Sequence, residues 1–104
     1  MKQSFKLALV ILLAAMFAVP ALAQGPDLYA AKCKMCHGAD GLAATPMAKS
    51  MKILSFKDAA EVKLSDAQLI AATTDGKGKM PAYKGKLTDA QIKDVVAYIR
   101  TLQK

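Results

Sequence analysis

Both cysteines and the single histidine of this 104-residue chain lie in one short run, KCKMCHG, at residues 32–38. On an α-helix, with about 100° between successive residues, Cys33, Cys36 and His37 occupy roughly one quadrant of the circumference. Two thiols and one imidazole would therefore face the same object.

The C-x-x-C-H spacing in an exported chain is typical of covalent attachment of a c-type haem. Each thiol would add to a vinyl group of the porphyrin as a thioether, and the adjacent imidazole would reach the iron from the same side. We therefore predict one covalently bound haem c per chain, with Cys33 and Cys36 as the attachment points and His37 as the proximal iron ligand. A large apolar group would also supply core that so short a chain lacks.

Other uses of the same run are open. A structural zinc site needs four Cys or His ligands, and residues 24–104 contain three, crowded along the backbone. A thioredoxin-like redox pair belongs in a βαβ pattern, which this sequence lacks, and a plain disulfide is the third alternative. The histidine beside the cysteines favours haem attachment over all three.

The sequence also narrows the choice of the second iron ligand, because there is no second histidine. Met35 lies inside the attachment run and cannot pass around the porphyrin. Met47 and Met51 are four residues apart, as core methionines on one helical turn often are. Met80 lies in GKGKMPAY (76–83), where flanking glycines free the backbone and the following proline keeps Met80 extended. We predict Met80 as the distal iron ligand.

The N-terminus has the three parts of a secretory leader: a basic start with two lysines, an apolar run at residues 7–19, and a small-residue end at 21–23. We predict cleavage after Ala23, which leaves one domain, residues 24–104, in the periplasm. The apolar run is shorter than the roughly 20 residues that a spanning helix needs, so no stable membrane anchor is expected.

Three main helices are predicted around the attachment run. The first begins at Gly25, where the following proline suits the first helical position, and stops at Gly38. Capping boxes at 65–68 (SDAQ) and 88–91 (TDAQ) open the second and third. The third carries an apolar stripe with helical spacing, formed by Ile92, Val95, Val96, Ile99 and Leu102.

The middle of the chain, residues 39–64, has no sustained apolar period and contains Gly41 and Pro46. Loops are predicted there, with one short helical turn near 47–53. No run alternates at period two, so no sheet is expected. The predicted fold is all-α, with three main helices plus loops around one covalently attached haem.

These motifs resemble a short bacterial class I cytochrome c, the exported monohaem kind. The likeness covers residues 25–104 and is carried by CKMCHG (33–38), Pro46, MPAY (80–83) and VVAYI (95–99). The resemblance implies the cytochrome c-like fold, in which the first and last helices cross.

The resemblance also implies contacts for particular residues. Four positions would form the helix crossing: Gly25, Tyr29, Val95 and Tyr98. The Pro46 carbonyl would accept a hydrogen bond from Nδ1 of His37 and thereby fix the imidazole tautomer. Many relatives place a tryptophan near a haem propionate, and this chain has none. Tyr83 and nearby lysines are therefore the candidates for anchoring the propionates in the haem pocket.

The residues favour one-electron transfer. When imidazole and thioether hold the iron in both oxidation states, little moves as the electron arrives, and thioether ligation in an apolar pocket raises the potential. We therefore predict a soluble periplasmic electron carrier and no enzyme activity. Two alternatives stay open: a small peroxidase or gas-binding haem protein with an open sixth site, and a haem subunit of a larger oxidoreductase.

The charge distribution suggests the kind of partner. The chain has 15 basic and 8 acidic residues, and without the two leader lysines 13 basic residues remain, a net charge of +5. Four of them flank Met80: Lys77, Lys79, Lys84 and Lys86. We predict that the monomeric protein docks on acidic patches of redox proteins, such as a membrane oxidase, reductase or reaction centre, and has no nucleic-acid partner.

Overall fold

The computed structural model describes residues 24–104, and the predicted leader, residues 1–23, lies outside them. The described residues form helices at six places: α1 (Gly25–Lys32), α2 (Lys34–His37), α3 (Pro46–Ser50), α4 (Ala59–Val62), α5 (Asp66–Asp75) and α6 (Asp89–Leu102). They contain no strand, only isolated bridges that pair residue 77 with 80 and residue 84 with 87. The all-α prediction is confirmed, with α1 and α2 together forming the first main helix.

Both predicted capping boxes are formed. At the start of α5, the Ser65 hydroxyl accepts a hydrogen bond from the Gln68 N–H at 3.1 Å, and the Gln68 side chain accepts one from the Ser65 N–H at 2.9 Å. Thr88 and Gln91 make the same pair of bonds at the start of α6. Each box satisfies two of the N–H groups that a helix N-terminus leaves unpaired. Local sequence therefore sets where these two helices begin.

The middle of the chain contains two short helices where one was predicted. The predicted turn is α3, which Thr45 caps by accepting a hydrogen bond from the Ala48 N–H at 3.0 Å. The second, α4, is not predicted from the sequence. Asp58 caps it by accepting from the Ala60 N–H at 2.9 Å. An aspartate directly before helix-forming alanines is the signal that would have identified it.

Helices α1 and α6 cross at Gly25. A methyl group on Gly25 would lie only 2.7 Å from the carbonyl oxygen of Asp94 and 3.2 Å from Cβ of Tyr98. Tyr29 and Val95 are buried, at 2% and 0% exposure, and the Tyr29 ring packs edge-on against Tyr98 with 5.2 Å between ring centroids. The predicted crossing of these helices is confirmed, and glycine is what permits so close an approach.

Arg100 attaches α6 to the start of α5. Its Nε lies 2.8 Å from a carboxylate oxygen of Asp66, and its guanidinium also donates to the Leu64 carbonyl. Because Asp66 is mostly exposed, this ion pair alone contributes at most about 1 kcal/mol. Within residues 24–104, no helix is both long enough and apolar enough to cross a membrane.

Replacing Gly25 with alanine is expected to lower the free energy of unfolding by about 1–3 kcal/mol, because the added methyl overpacks the crossing of α1 and α6. Urea unfolding of the haem-loaded protein measures the change. Ala31→Leu is the control, since it adds a larger side chain at an exposed position of the same helix and should change stability by less than about 0.5 kcal/mol. Equal losses in the two variants would contradict a tight crossing at Gly25.

Candidate haem-binding site

A cavity of about 840 Å³ lies between the attachment run, α5 and the loop that carries Met80. Its size is within the range of about 300–1,000 Å³ that is usual for ligand and cofactor sites. Five of the predicted site residues line it: Cys33, Cys36, His37, Met80 and Tyr83. Apolar side chains form much of the remaining wall, among them Ile53, Leu54, Phe56, Leu69, Val95 and Ile99. The fold therefore gathers two distant sequence motifs around one largely apolar space.

The attachment run continues from α1 with a break at Cys33. The Cys33 N–H donates to the Tyr29 carbonyl at 2.8 Å, and the Cys33 carbonyl accepts from the His37 N–H at 3.0 Å. The helix ends at Gly38, whose φ of +85° is a conformation that favours glycine. This nearly continuous helix brings both cysteines and the histidine to the cavity.

The Tyr29 hydroxyl holds the end of this helix. It donates a buried hydrogen bond of 2.6 Å to the carbonyl of Gly38, the residue directly after His37. Desolvation by burial raises the pKa of Tyr29. The phenol therefore stays neutral and remains a donor, and the histidine end of the run is attached to the core.

The His37 imidazole stacks on Phe56, with 4.6 Å between ring centroids and 18° between ring planes. The Phe56 N–H donates to the Gly41 carbonyl at 2.9 Å, which fixes that ring's position. Burial lowers the pKa of His37, so the ring is neutral at neutral pH, the form that ligates metals. Phe56 is missed by sequence reasoning, although it is the single phenylalanine in residues 24–104.

The hydrogen bond expected between His37 and Pro46 is not formed, so that expectation is wrong for this structure. Nδ1 of His37 is buried without a hydrogen-bond partner among residues 24–104, and the exposed Pro46 does not line the cavity. Pro46 is the first residue of α3, where carbonyl oxygens point along the helix towards the amide four residues on. A buried unpaired nitrogen is rare in folded proteins and is the kind of exception found at functional sites.

The two cysteines test two alternative uses of the attachment run, a redox-active pair and a disulfide. Cys33 and Cys36 form no disulfide. Burial raises the pKa of the Cys33 thiol to about 11, with Cys36 contributing. Redox-active C-x-x-C cysteines have lowered pKa values, so the shift at Cys33 is in the opposite direction. Sγ of Cys36 lies 3.7 Å from Sδ of Met47, which places Met47 beside the attachment run but outside the cavity lining.

Two methionines, Met51 and Met80, line the cavity, whereas Met35 is 74% exposed. Met80 is held in a tight loop, in which its N–H donates to the Lys77 carbonyl at 2.9 Å and its carbonyl accepts from the Lys77 N–H at 3.1 Å. Gly76 lies so close that a methyl group there would be 2.7 Å from the Met80 carbonyl oxygen. Glycine at position 76 therefore allows the loop to fold back against the end of α5.

Two of the four lysines predicted around the haem edge, Lys77 and Lys79, line the cavity, and Lys32 and Lys52 join them. Lys84 and Lys86 do not line it. The reason is that the chain turns away after Tyr83, where the Lys84 N–H donates to the carbonyl of Thr74 at 3.1 Å. Nζ of Lys86 lies 5.7 Å from the centroid of the Tyr83 ring. Two acidic residues, Glu61 and Asp75, also line the cavity, so its four lysines, Lys32, Lys52, Lys77 and Lys79, give it a basic margin with a net charge of +2.

Several known proteins are similar to this chain in sequence. A family model described as cytochrome c oxidase, cbb3-type, subunit III matches residues 20–99. Cytochrome c6 of Nostoc sp. is 35% identical over 106 aligned positions, which cover 95% of this chain and 92% of the relative. Cytochrome c6 of Synechocystis sp. is 37% identical over 78 residues, or 75% of this chain, and the match spans 62% of that relative's length.

A solved structure agrees with these relatives. The c-type cytochrome KustC0563 superposes with a TM-score of 0.70 and 34% sequence identity, over 77% of this chain and 98% of its own. The chain belongs to the cytochrome c family. This cytochrome carries covalently bound haem c, as its C-x-x-C-H run predicts. The apolar cavity, with two cysteines that form no disulfide and a neutral imidazole in its wall, fits that group.

Proposed function

We propose that this cytochrome is a one-electron carrier, in which Cys33 and Cys36 hold the haem as thioethers while His37 and Met80 ligate its iron. The observation that carries the proposal is that His37 and Met80, from separate elements, line the same apolar cavity. When bound, haem iron supplies the one-electron chemistry by cycling between its ferric and ferrous states. His37 and Met80 would hold the iron together, which would leave no position on it for a substrate or a gas.

The side chains around the cavity suit this role. Apolar walls exclude water and lower the local dielectric, which favours the less charged ferrous state and raises the reduction potential. The Tyr29 hydroxyl, through its bond to the Gly38 carbonyl, limits movement of the His37 end. The cytochrome c6 of Nostoc sp., similar over 95% of this chain, supports a free carrier over the haem subunit of a larger oxidoreductase.

Replacing Met80 with alanine is expected to abolish the sulfur-to-ferric-iron absorption band in the red and to let carbon monoxide bind the ferrous protein. The reduction potential should fall by on the order of 0.1 V, since axial ligands set haem potentials over about 0.8 V. Spectra and potentiometry of the haem-loaded protein measure both effects.

Met51→Ala is the matched control, because Met51 lines the same cavity, and Met47→Ala is a second one beside the attachment run. Both should keep the band and the potential. If the Met51 variant loses the band and the Met80 variant keeps it, the distal ligand is Met51.

We also propose that residues 1–23 are a leader, removed after Ala23 on export to the periplasm, as their basic, apolar and small-residue parts suggest. Protein recovered from the periplasm of an expressing bacterium should then begin at Gln24 by N-terminal sequencing. Ala23→Arg removes the small residue at the cleavage site and is expected to leave the precursor uncut. A different first residue, or normal cutting of the Ala23 variant, would contradict the site.

The basic margin of the cavity supports a proposal about partners. We propose that Lys32, Lys52, Lys77 and Lys79 orient the exposed haem edge towards an acidic patch on a redox protein, such as a membrane oxidase, reductase or reaction centre. A net charge beside a redox centre raises the rate of association with an oppositely charged partner and leaves the complex weak enough to separate.

Oxidation of the ferrous protein by the anion hexacyanoferrate(III) is expected to slow as ionic strength rises, because salt screens the attraction. Reversing Lys77 and Lys79 to glutamate should lower the low-salt rate several-fold. The control reverses Lys57 and Lys63, which are exposed and lie outside the cavity lining. Both double variants change the net charge equally. A difference between their stopped-flow rates therefore shows that the position of the charges, beside the cavity or away from it, matters. Equal losses of oxidation rate in the two double variants, or a rate that does not change with salt, would show that the basic margin does not steer the partner.

A further inference from the structure

We propose that the Tyr83 hydroxyl is a positioning group for the distal iron ligand: its hydrogen bond to the Lys32 carbonyl holds the Met80 loop closed over the haem cavity. This inference rests on the proposed ligation by Met80. It gives a specific role to Tyr83, for which sequence reasoning suggested contact with a propionate.

The bond joins the two sides of the site. Tyr83 lies three residues after Met80 and lines the cavity. Its hydroxyl donates to the carbonyl of Lys32 at 2.9 Å, across 51 positions of sequence. Lys32 is the last residue of α1 and directly precedes Cys33. The loop that offers the distal ligand is therefore attached to the helix that carries the thioether run.

The other hydrogen bonds of the loop do not make this connection. The two bonds between Lys77 and Met80 lie within the loop and would move with it. The Tyr83 N–H donates to the carbonyl of Thr73, and the Lys84 N–H donates to the carbonyl of Thr74. These two bonds attach the C-terminal end of the loop to α5. In the part of the chain that the structure describes, only the Tyr83 hydroxyl forms a hydrogen bond from residues 76–87 to residues 25–38.

The Tyr83 ring is half-buried, and its hydrogen bond to Lys32 lies at the exposed surface. Desolvation by burial raises the pKa of Tyr83. The hydroxyl therefore keeps its proton at neutral pH and continues to donate. Because its one proton is directed to the Lys32 carbonyl, the same hydroxyl cannot also donate to a haem propionate.

Tyr83→Phe tests the proposal, because it keeps the ring and removes only the hydroxyl. The ferric, haem-loaded protein is mixed with increasing imidazole in a stopped-flow spectrometer. At saturating imidazole the binding rate levels off at the rate at which Met80 leaves the iron. We expect this plateau to rise about fivefold, the factor that corresponds to one hydrogen bond of about 1 kcal/mol.

Tyr98→Phe is the matched control, since it removes a tyrosine hydroxyl that lies outside the cavity lining. It should leave the imidazole plateau unchanged. A double-mutant cycle adds a second control: in a Met80→Ala background the sixth position is open, and Tyr83→Phe should no longer alter the imidazole rate.

The outcomes distinguish the positioning role of the Tyr83 hydroxyl from the proposed ligation by Met80. An unchanged plateau in the Tyr83 variant, with the sulfur-to-iron band intact, overturns the positioning role and leaves Met80 as ligand. A shift of the reduction potential with an unchanged plateau overturns it in favour of a propionate contact. A wild-type protein that lacks the band, or binds imidazole without any plateau, refutes Met80 ligation itself.

Discussion

The close crossing of α1 and α6 at Gly25 is the contact on which the rest of the site depends. The attachment run continues from α1, so the position of α1 against α6 determines where Cys33, Cys36 and His37 lie. Tyr29 connects the helix crossing to the attachment run, because its ring packs in the crossing and its hydroxyl donates to the Gly38 carbonyl. A side chain at residue 25 would push α1 and α6 apart, because even a methyl group would lie 2.7 Å from the Asp94 carbonyl oxygen.

The two sides of the cavity are held in different ways. On the histidine side, buried aromatic and aliphatic packing and a buried hydrogen bond restrict the chain. On the Met80 side, a glycine-containing loop is fixed to α5 by backbone hydrogen bonds and reaches α1 through one tyrosine hydroxyl. In the proposed ligation by His37 and Met80, both kinds of attachment limit movement of an iron ligand during electron transfer, which suits a carrier.

Phe56 shows how the irregular middle of the chain contributes. It stacks on His37 and belongs to the same core cluster as Tyr29, Cys33, Val95 and Ile99. Gly41 makes this possible, since a methyl group there would lie 2.7 Å from the Phe56 ring. A segment without a regular apolar period therefore supplies one wall of the cavity and buries the imidazole, which lowers its pKa.

The amino-acid sequence by itself determined the features that depend on neighbouring residues. The C-x-x-C-H spacing identified the chemistry, the two capping boxes placed the starts of α5 and α6, and the apolar stripe on α6 predicted a buried face. Tertiary structure decided which distant groups meet. It stacked Phe56 on His37, left Nδ1 of His37 without the Pro46 carbonyl, and directed the Tyr83 hydroxyl to Lys32. Helix caps and helical periods arise from contacts within a few residues, whereas these pairings depend on how separate elements pack, which no local pattern encodes.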